Sequence, residues 1–351
     1  MPKRRPIPLT SNSTNSLRPR PKPRVRAAFF GWLVLIALVA ARPLLASDNH
    51  GKASARAASK SSSPEPISEL WVNPPDIASR DLFLGPGGVE LAPAPDGEFQ
   101  FRGEDKKGHS KGYDVADSQG RKWAVKLGDE AQSEVAVSRI LWAIGFHQPA
   151  VYYVARWKLV GAPDQQTDAM PGPGRFRFGS DHKSLGDWSW SDNPFAGTRE
   201  LRGLIVANLV LNNWDLTTTN NRLYRVGKKS KHNEKWYVVQ DVGGSLGKTR
   251  WPIGTRNNLA DFESESLIKS AQEGKVEMTY RARHRILVGQ LTPEDVVWTC
   301  ELLDRLSDRQ LDDAFRAGGY PKPDRERYIR KIREKIHEGL ALQPRAGEAH
   351  G

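Results

Sequence analysis

The sequence predicts an α+β fold of two lobes, a small β-rich lobe followed by a mainly helical one, with one hydrophobic helix in front of both. Three observations support this prediction. Short β-like runs separated by glycines and charged turns extend from about residue 89 to 127. Helical patterning dominates from residue 261 onward. An uncharged, strongly apolar stretch, 27–41, lies near the N-terminus.

The composition permits a substantial core and excludes one class of partner. The chain has 351 residues, of which 38% are hydrophobic and 9% aromatic. Its formal charge is +12, but residues 1–60 hold twelve Lys and Arg against one acidic residue, Asp48, so the rest of the chain carries only +1. A charge-balanced domain lacks the phosphate-neutralising surface on which nucleic-acid binding depends. We therefore expect no nucleic-acid partner for the folded part.

The apolar stretch 27–41 is typical of a signal peptide or a short membrane anchor. It is shorter than the roughly 20 residues that span a bilayer core, but Arg42 can snorkel and let the following residues extend it. The positive charges before it predict an N-terminus inside and everything later outside. We expect a membrane-anchored protein whose main domain faces the periplasm, a lumen or the exterior, or a secreted one if the signal is cleaved. A buried core helix is the alternative.

Five segments of different composition follow from this pattern. They are a basic disordered cytoplasmic tail (1–26), a signal-anchor or signal peptide that contacts the membrane (27–47), a flexible linker (48–70), a β-rich N-lobe (71–165) and a helical C-lobe (166–345). Residues 161–195 are rich in Gly, Pro, Asp and Trp, and we expect them to connect the lobes.

Individual elements are predicted from periodicity and end signals. Residues 129–145 begin with acidic residues, continue with apolar residues at helical spacing and end at a glycine, which predicts a helix. Residues 151–160 predict a strand, and 198–212 a buried helix. The runs 222–226 and 235–239 predict a hairpin, and helices are expected to start at Thr292 and Ser307.

Two acidic side chains follow a lysine at the end of a predicted strand. Lys126 closes the run Ala124-Val125-Lys126, and Glu134 lies eight residues later in the next predicted helix. Glu130, one helical turn earlier, is the alternative partner. In such a pair, a fixed carboxylate holds a flexible ammonium in position and keeps it charged.

Two further motifs follow the predicted helix 198–212. Asp215 and Asn220 form an Asp-x-x-x-x-Asn sequence directly after it. Asp241 ends the second strand of the predicted hairpin and precedes Val242, Gly243 and Gly244. The glycines allow the backbone to turn sharply behind the aspartate.

A glycine-containing segment lies earlier, in the turn between the first two predicted strands. It holds Gly103, Gly108 and Gly112 among several lysines. The spacing differs from Gly-x-Gly-x-x-Gly, so an ordinary solvated turn is the alternative.

Taken in order over residues 95–245, these motifs resemble the protein-kinase-like superfamily, with a looser similarity to HipA-type and secretory-pathway kinases. The resemblance implies that Lys126 contacts nucleotide phosphates and pairs with Glu134. It implies that Asp215 accepts the proton of a substrate hydroxyl, and that Asn220 and Asp241 bind Mg²⁺. Gly103, Gly108 and Gly112 would then fold over the phosphates.

The function implied is transfer of phosphate from ATP, or another nucleoside triphosphate, with Mg²⁺ to an unknown hydroxyl acceptor on a protein, lipid or small molecule. The alternative is a catalytically inactive, pseudokinase-like binding or scaffold domain of the cell envelope, since ATP is scarce outside the cytoplasm. Without the resemblance, Lys126 would be a solvated strand end, and the other motif residues would cap helices and turns.

Overall fold

The computed structural model describes residues 67–343, apart from 106–109, 164–169, 181, 228–233, 251–253 and 273. The hydrophobic helix expected within residues 27–47 lies outside this range. Within the described range, no helix is both long and apolar enough to cross a membrane.

A mixed sheet forms the first lobe, and six of its strands are described. Its strand order is β4-β6-β3-β2-β1-β5, and every neighbouring pair is antiparallel except β1 with β5. The strands are β1 (Glu98–Asp105), β2 (Gly112–Ala116), β3 (Lys122–Leu127), β4 (Val151–Val154), β5 (Lys158–Val160) and β6 (Gly174–Phe178).

The structure differs from the sequence prediction at two of these strands. The expected single strand 151–160 is divided into β4 and β5, which lie at opposite edges of the sheet. The expected connection 161–195 contains β6, which pairs with β3 and β4 inside the sheet. The first lobe therefore continues beyond residue 165. Chain order alone does not reveal this, because β6 depends on partners distant in sequence.

Helices and two small sheets form the second lobe, together with one helix that packs between the lobes. The sheets are β7-β8-β9 and β10-β11, with strands β7 (Lys183–Gly186), β8 (Asn221–Arg225), β9 (Lys235–Val239), β10 (Ile268–Gln272) and β11 (Lys275–Met278). Helix α1 (Gly88–Leu91) precedes β1 and packs against the first sheet, and α2 (Glu130–Ala143) is the helix between the lobes. The helices of the second lobe are α3 (Arg199–Val210), α4 (Leu259–Glu263), α5 (Arg285–Val288), α6 (Pro293–Asp304), α7 (Asp308–Ala317) and α8 (Lys322–Leu340).

Helix starts were predicted well and one hairpin was missed. Thr292 and Ser307 each form a capping box at the start of α6 and α7, and Thr198 caps α3. The hairpin of β8 and β9 is also confirmed. The all-helical expectation from residue 261 is wrong for β10 and β11, which turn at Gly274 with a φ of 73°. That backbone conformation suits glycine and ends any helix there.

Helix α2, which follows β3, is almost entirely buried. Twelve of its fourteen residues are buried. Its apolar residues join the core of the helical lobe, and Trp71, from the segment before the sheet, donates a hydrogen bond to the carbonyl of Ile144 just after it. A second, aromatic core lies on the other face of the sheet, around Trp123, Trp157 and Phe176. These contacts fix α2 between the two lobes.

Candidate active site

Lys126 lies at the centre of a group of carboxylates. Its Nζ is 2.6 Å from Asp241 Oδ2, 3.0 Å from Glu130 Oε2 and 3.5 Å from Glu134 Oε2. Strand β3 brings the lysine to the start of α2, which carries both glutamates. Both partners considered from the sequence are therefore within ion-pair distance of Lys126, and Glu130 is the nearer.

Glu134 is fully buried and holds two further cations. Arg175 Nε lies 2.9 Å and Arg177 Nη2 2.8 Å from Glu134 Oε1. Burial alone would raise the pKa of Glu134, but the positive charges of Arg175, Lys126 and Arg177 outweigh it and hold that pKa below its ordinary range. Burial lowers the pKa of Arg175 to about 10, so its guanidinium remains charged at neutral pH. Glu134 is thus ionised and held by cations from two neighbouring strands, β3 and β6.

Sequence reasoning missed the two arginines. They lie on β6, where Arg175 is opposite Lys126 and Arg177 is opposite Ala124, so all four residues share one face of the sheet. The signal was present: Arg175 and Arg177 alternate with Phe176 and Phe178, the period-two pattern of a strand with one polar and one apolar face.

Asp241 follows β9 and is held by its neighbours. Its Oδ1 accepts a hydrogen bond from the Gly243 N–H at 3.1 Å, and its own N–H donates to the Asn220 carbonyl at 3.0 Å. Burial alone would raise the pKa of Asp241, but Lys126 and Arg177 lower it to about 2. The carboxylate is therefore ionised throughout the physiological pH range.

The loop after α3 places Asp215 and Asn220 next to this group. Asn220 Nδ2 donates a hydrogen bond to the Asp215 carbonyl at 2.8 Å. The pKa of Asp215 is raised, mainly by burial. A hydrogen bond with Asn220 lowers that pKa, and the negative charge of Asp241 raises it further. Because Asn220 contacts both aspartates, the loop and the segment around Asp241 form one unit.

Gly243 and Gly244 are needed here for space. The backbone turns at these two residues, as expected, but their φ angles lie outside the left-handed region, so the turn itself does not require glycine. A Cβ on Gly244 would lie 2.9 Å from Asp215 Cβ, and one on Gly243 would lie 2.9 Å from Glu130 Cβ. The Gly244 carbonyl also accepts a hydrogen bond from the Trp214 N–H at 3.1 Å. Glycine thus permits the close approach of the two loops and α2.

A buried lysine supports the start of the same loop. Asn212 adopts a left-handed conformation with a φ of 51° directly after α3. Lys335, on α8 and fully buried, donates to Asn212 Oδ1 and to the Val210 carbonyl. The Lys335 Nζ group therefore faces the carbonyl end of α3, where a positive charge is favourable, while burial lowers the pKa of Lys335 to about 7.

Two of the three predicted glycines, Gly103 and Gly112, lie in strands and not in a turn. Gly103 is inside β1 and Gly112 begins β2, because pairing of the two strands continues as far as Asp105 and Gly112. Gly108 lies outside the described residues. A Cβ on Gly103 would meet no atom within 4 Å, whereas one on Gly112 would lie 2.8 Å from the Val125 carbonyl oxygen. Gly112 is paired directly opposite Lys126 across β2 and β3.

The five other predicted residues do come together. Lys126 contacts Glu134 and Asp241 directly, Asp241 contacts Asn220 through the backbone, and Asn220 contacts Asp215. In the part of the chain that the structure describes, no group of three or more His, Cys, Asp or Glu is arranged to hold a metal ion by itself.

Comparison with known proteins gives structural matches alone. No protein-family profile matches the chain, and no curated sequence does. The fold is similar to the Helicobacter pylori proinflammatory kinase CtkA, with a TM-score of 0.44 and 11% identity over 71% of this chain and 98% of that one. It is also similar to the Golgi casein kinase, with a TM-score of 0.39 and 8% identity over 74% and 75% of the two chains.

A structure of the Golgi casein kinase with Mn/ADP bound gives a TM-score of 0.38 and 7% identity over 74% of this chain and 76% of that one. These matches are likenesses in overall fold alone. At such low identities, the roles of individual residues must be argued from the geometry of this chain.

Proposed function

We propose that this protein is a membrane-anchored or exported kinase-like phosphotransferase that uses a nucleoside triphosphate and Mg²⁺ to phosphorylate a hydroxyl group. One observation carries the proposal: Lys126, Glu134, Asp215, Asn220 and Asp241, spread over more than a hundred residues, meet in one connected group. Ordinary strand ends and turn residues have no reason to converge in this way.

The donor atoms fit a magnesium ion shared with phosphates. Asp241 supplies a carboxylate. Asn220 donates its Nδ2 hydrogen bond to the Asp215 carbonyl within the loop. Among the described residues, no hydrogen bond engages Asn220 Oδ1, so this oxygen can serve as a metal ligand. Mg²⁺ is commonly held by one or two protein oxygens plus substrate phosphates, which suits a site without a larger ligand cluster. The bound Mg-nucleotide would supply the phosphoryl group and neutralise its developing charge.

The residues of the chain would position and neutralise the reactants. Lys126, held by Glu134, offers an ammonium for phosphate oxygens. Asp215 lies beside this group, and burial raises its pKa, so its carboxylate accepts a proton more readily than that of an exposed aspartate. Asp215 would orient an acceptor hydroxyl and hold its proton.

A non-catalytic binding domain is the second candidate. It is favoured by the expected position of the domain outside the cytoplasm, where ATP is scarce. The same five residues could then bind a nucleotide without turnover. For the phosphotransferase, we propose only that the acceptor carries a hydroxyl group, whether it is a protein, a lipid or a small molecule. We propose no nucleic-acid partner.

Nucleotide binding and turnover separate the two functions. We expect Mg-ATP to raise the melting temperature of the full chain and to be hydrolysed or used for phosphorylation. Asp215→Asn should keep the melting shift and lose turnover by about a hundredfold or more. Asp192→Asn, at an exposed aspartate, is the matched control and should keep both. Binding without turnover in the unmodified chain would favour the scaffold. Absence of both binding and turnover would refute the kinase proposal.

The location is tested separately. We propose that residues 27–47 anchor the chain and place the main domain on the non-cytoplasmic side. Protease added outside intact spheroplasts should then degrade the domain, and Leu35→Arg, which interrupts the apolar stretch, should protect it by leaving it in the cytoplasm. A domain that is protected in the unmodified chain would contradict the proposed orientation.

A further inference from the structure

Two stretches of the second lobe carry positive charge without any negative charge. Neither residues 242–260 nor residues 279–293 contain an aspartate or a glutamate. At the average composition of the chain, with 41 acidic residues in 351, about four would be expected in stretches of this combined length. Their six cations are Lys248, Arg250, Arg256, Arg281, Arg283 and Arg285. The nearly neutral part of the chain beyond residue 60 therefore includes a local excess of positive charge.

The structure brings the two stretches into contact. The backbones of Arg250 and Arg281 form a bridge, and the Arg281 N–H donates to the Thr249 carbonyl at 3.2 Å. Both arginines are exposed. In the described part of the chain, no carboxylate forms an ion pair with either of them. Like charges side by side on paired backbones repel each other, so an anion bound between these arginines would be attracted by both.

The second stretch also contacts the loop that carries Asp215. The Tyr280 hydroxyl donates a hydrogen bond to the Trp214 carbonyl at 3.3 Å. Burial lowers the pKa of His284, and a hydrogen bond between its ring and the Leu216 backbone opposes this. The residues on both sides of Asp215 are therefore held by this stretch, which places its cations beside the proposed active site.

Arg283 connects these cations to Asp215 itself. Burial raises the pKa of Asp215, whereas the positive charge of Arg283 lowers it, so the guanidinium is close enough to act on the carboxylate. Tyr280 and Ala282 are buried, but Arg281 and Arg283, which alternate with them, are exposed and reach the solvent. The three exposed arginines, here called the basic surface, are Arg250, Arg281 and Arg283.

We propose that the basic surface binds an acidic segment of a polypeptide and presents a serine or threonine hydroxyl of that segment to Asp215. Phosphorylation of this hydroxyl rests on the phosphotransferase function proposed above, whereas the binding does not. In that reaction the hydroxyl oxygen forms a bond to the γ-phosphorus of the nucleoside triphosphate. The bond from that phosphorus to the leaving nucleoside diphosphate breaks, and the hydroxyl proton passes to Asp215.

The arrangement of the cations favours an acidic polypeptide over other anions. Three arginines from two separate segments offer several separate contacts, which the side-chain carboxylates of a polypeptide can satisfy one by one. Nucleic-acid-binding proteins commonly neutralise more phosphates, about six to ten, than three arginines can. A polypeptide also supplies the hydroxyl of the proposed reaction on a neighbouring side chain.

Fluorescence anisotropy with the full chain and two labelled peptides tests the binding. The acidic peptide has one serine between two pairs of glutamates, and the control peptide has glutamine in place of each glutamate. We expect the acidic peptide to bind at least about fivefold more tightly, and its binding to weaken as sodium chloride is added. Equal binding of the two peptides, or binding of neither, would overturn the proposal.

Paired substitutions locate the contact. Arg281→Gln with Arg283→Gln should weaken binding of the acidic peptide at least about fivefold, whereas Arg281→Lys with Arg283→Lys should preserve most of it. The glutamine variant should melt at the temperature of the unmodified chain because both side chains are exposed, so its loss of binding would not reflect misfolding.

The matched control removes the same charge from the basic N-terminal segment. Arg18→Gln with Arg20→Gln should leave binding of the acidic peptide unchanged. If this control weakens binding as much as the substitutions at Arg281 and Arg283 do, the peptide is not held by the basic surface and the proposal is overturned.

Turnover separates this proposal from the proposed function. Faster phosphorylation of the acidic peptide than of the control peptide would support both. Equal rates on the two peptides would overturn the acidic partner and leave the phosphotransferase function standing. Binding that depends on Arg281 and Arg283, without phosphorylation of the serine, would support the acidic partner and contradict the phosphotransferase function.

Discussion

Asp241→Asn tests the electrostatics of the proposed active site without any ligand. The substitution keeps the shape of the side chain and removes its charge. Lys126 keeps Glu130 and Glu134 as ion-pair partners, so no lysine is left unpaired. The measured change therefore reports the stabilisation of the Asp241 carboxylate by its surroundings.

The magnitude follows from the pKa of Asp241. Despite burial, which acts in the other direction, Lys126 and Arg177 lower that pKa from 3.8 to about 2. A shift of this size corresponds to about 2 kcal/mol of folding free energy at neutral pH. The side chain is 30% exposed, so solvent screening makes about 1 to 2 kcal/mol the expected loss in Asp241→Asn.

The same shift predicts a pH dependence. A lowered pKa in the folded state means that the unfolded chain binds more protons as the pH falls, so this contribution is complete above pH 4 and is lost on acidification towards pH 2. At pH 3, about half of the difference between the two proteins should remain. Urea unfolding followed by tryptophan fluorescence at pH 7, 4 and 3 measures it, with the exposed Asp192→Asn as control.

Two results would refute this reasoning. Equal loss of stability in Asp241→Asn and Asp192→Asn would mean that the lysine group does not stabilise the carboxylate. A deficit in Asp241→Asn that stays constant from pH 7 to pH 3 would mean that its cause is packing and not charge.

Two further predictions concern the supports of the site. Arg175→Met leaves Glu134 fully buried with one cation fewer. We therefore expect urea unfolding to show a free energy of unfolding lower by about 3 to 5 kcal/mol. A decrease below about 1 kcal/mol would contradict a stabilising ion pair. Gly244→Ala places a methyl group 2.9 Å from Asp215 Cβ. We expect turnover to fall by at least about tenfold and the free energy of unfolding to fall by only about 1 to 3 kcal/mol. Unchanged turnover would refute a role for this close approach.

Local signals in the sequence predicted much of the fold. The helix from Glu130, the hairpin of β8 and β9, and the capped starts of α3, α6 and α7 each depend on residues close together in the chain. Turn chemistry and capping act over three or four residues, so the pattern alone is sufficient.

Long-range pairing explains what the sequence did not predict. Strand β6 is stabilised by β3 and β4, and its Gly-Arg-Phe-Arg-Phe pattern was hidden in a stretch rich in Gly and Pro. For the same reason Arg175 and Arg177 were missed, although Lys126 and Glu134 were found. The lysine and glutamate follow a local spacing, whereas the arginines reach Glu134 only through the sheet.

The support that Lys335 gives to Asn212 has a consequence for synthesis of the chain. The two residues are 123 positions apart, so the lysine is made long after the loop whose start it holds. A ribosome-bound chain thus contains all five proposed active-site residues before the helix that secures their loop has emerged. We expect the start of the loop that carries Asp215 and Asn220 to gain this support only when α8 docks, after the rest of the site has been made.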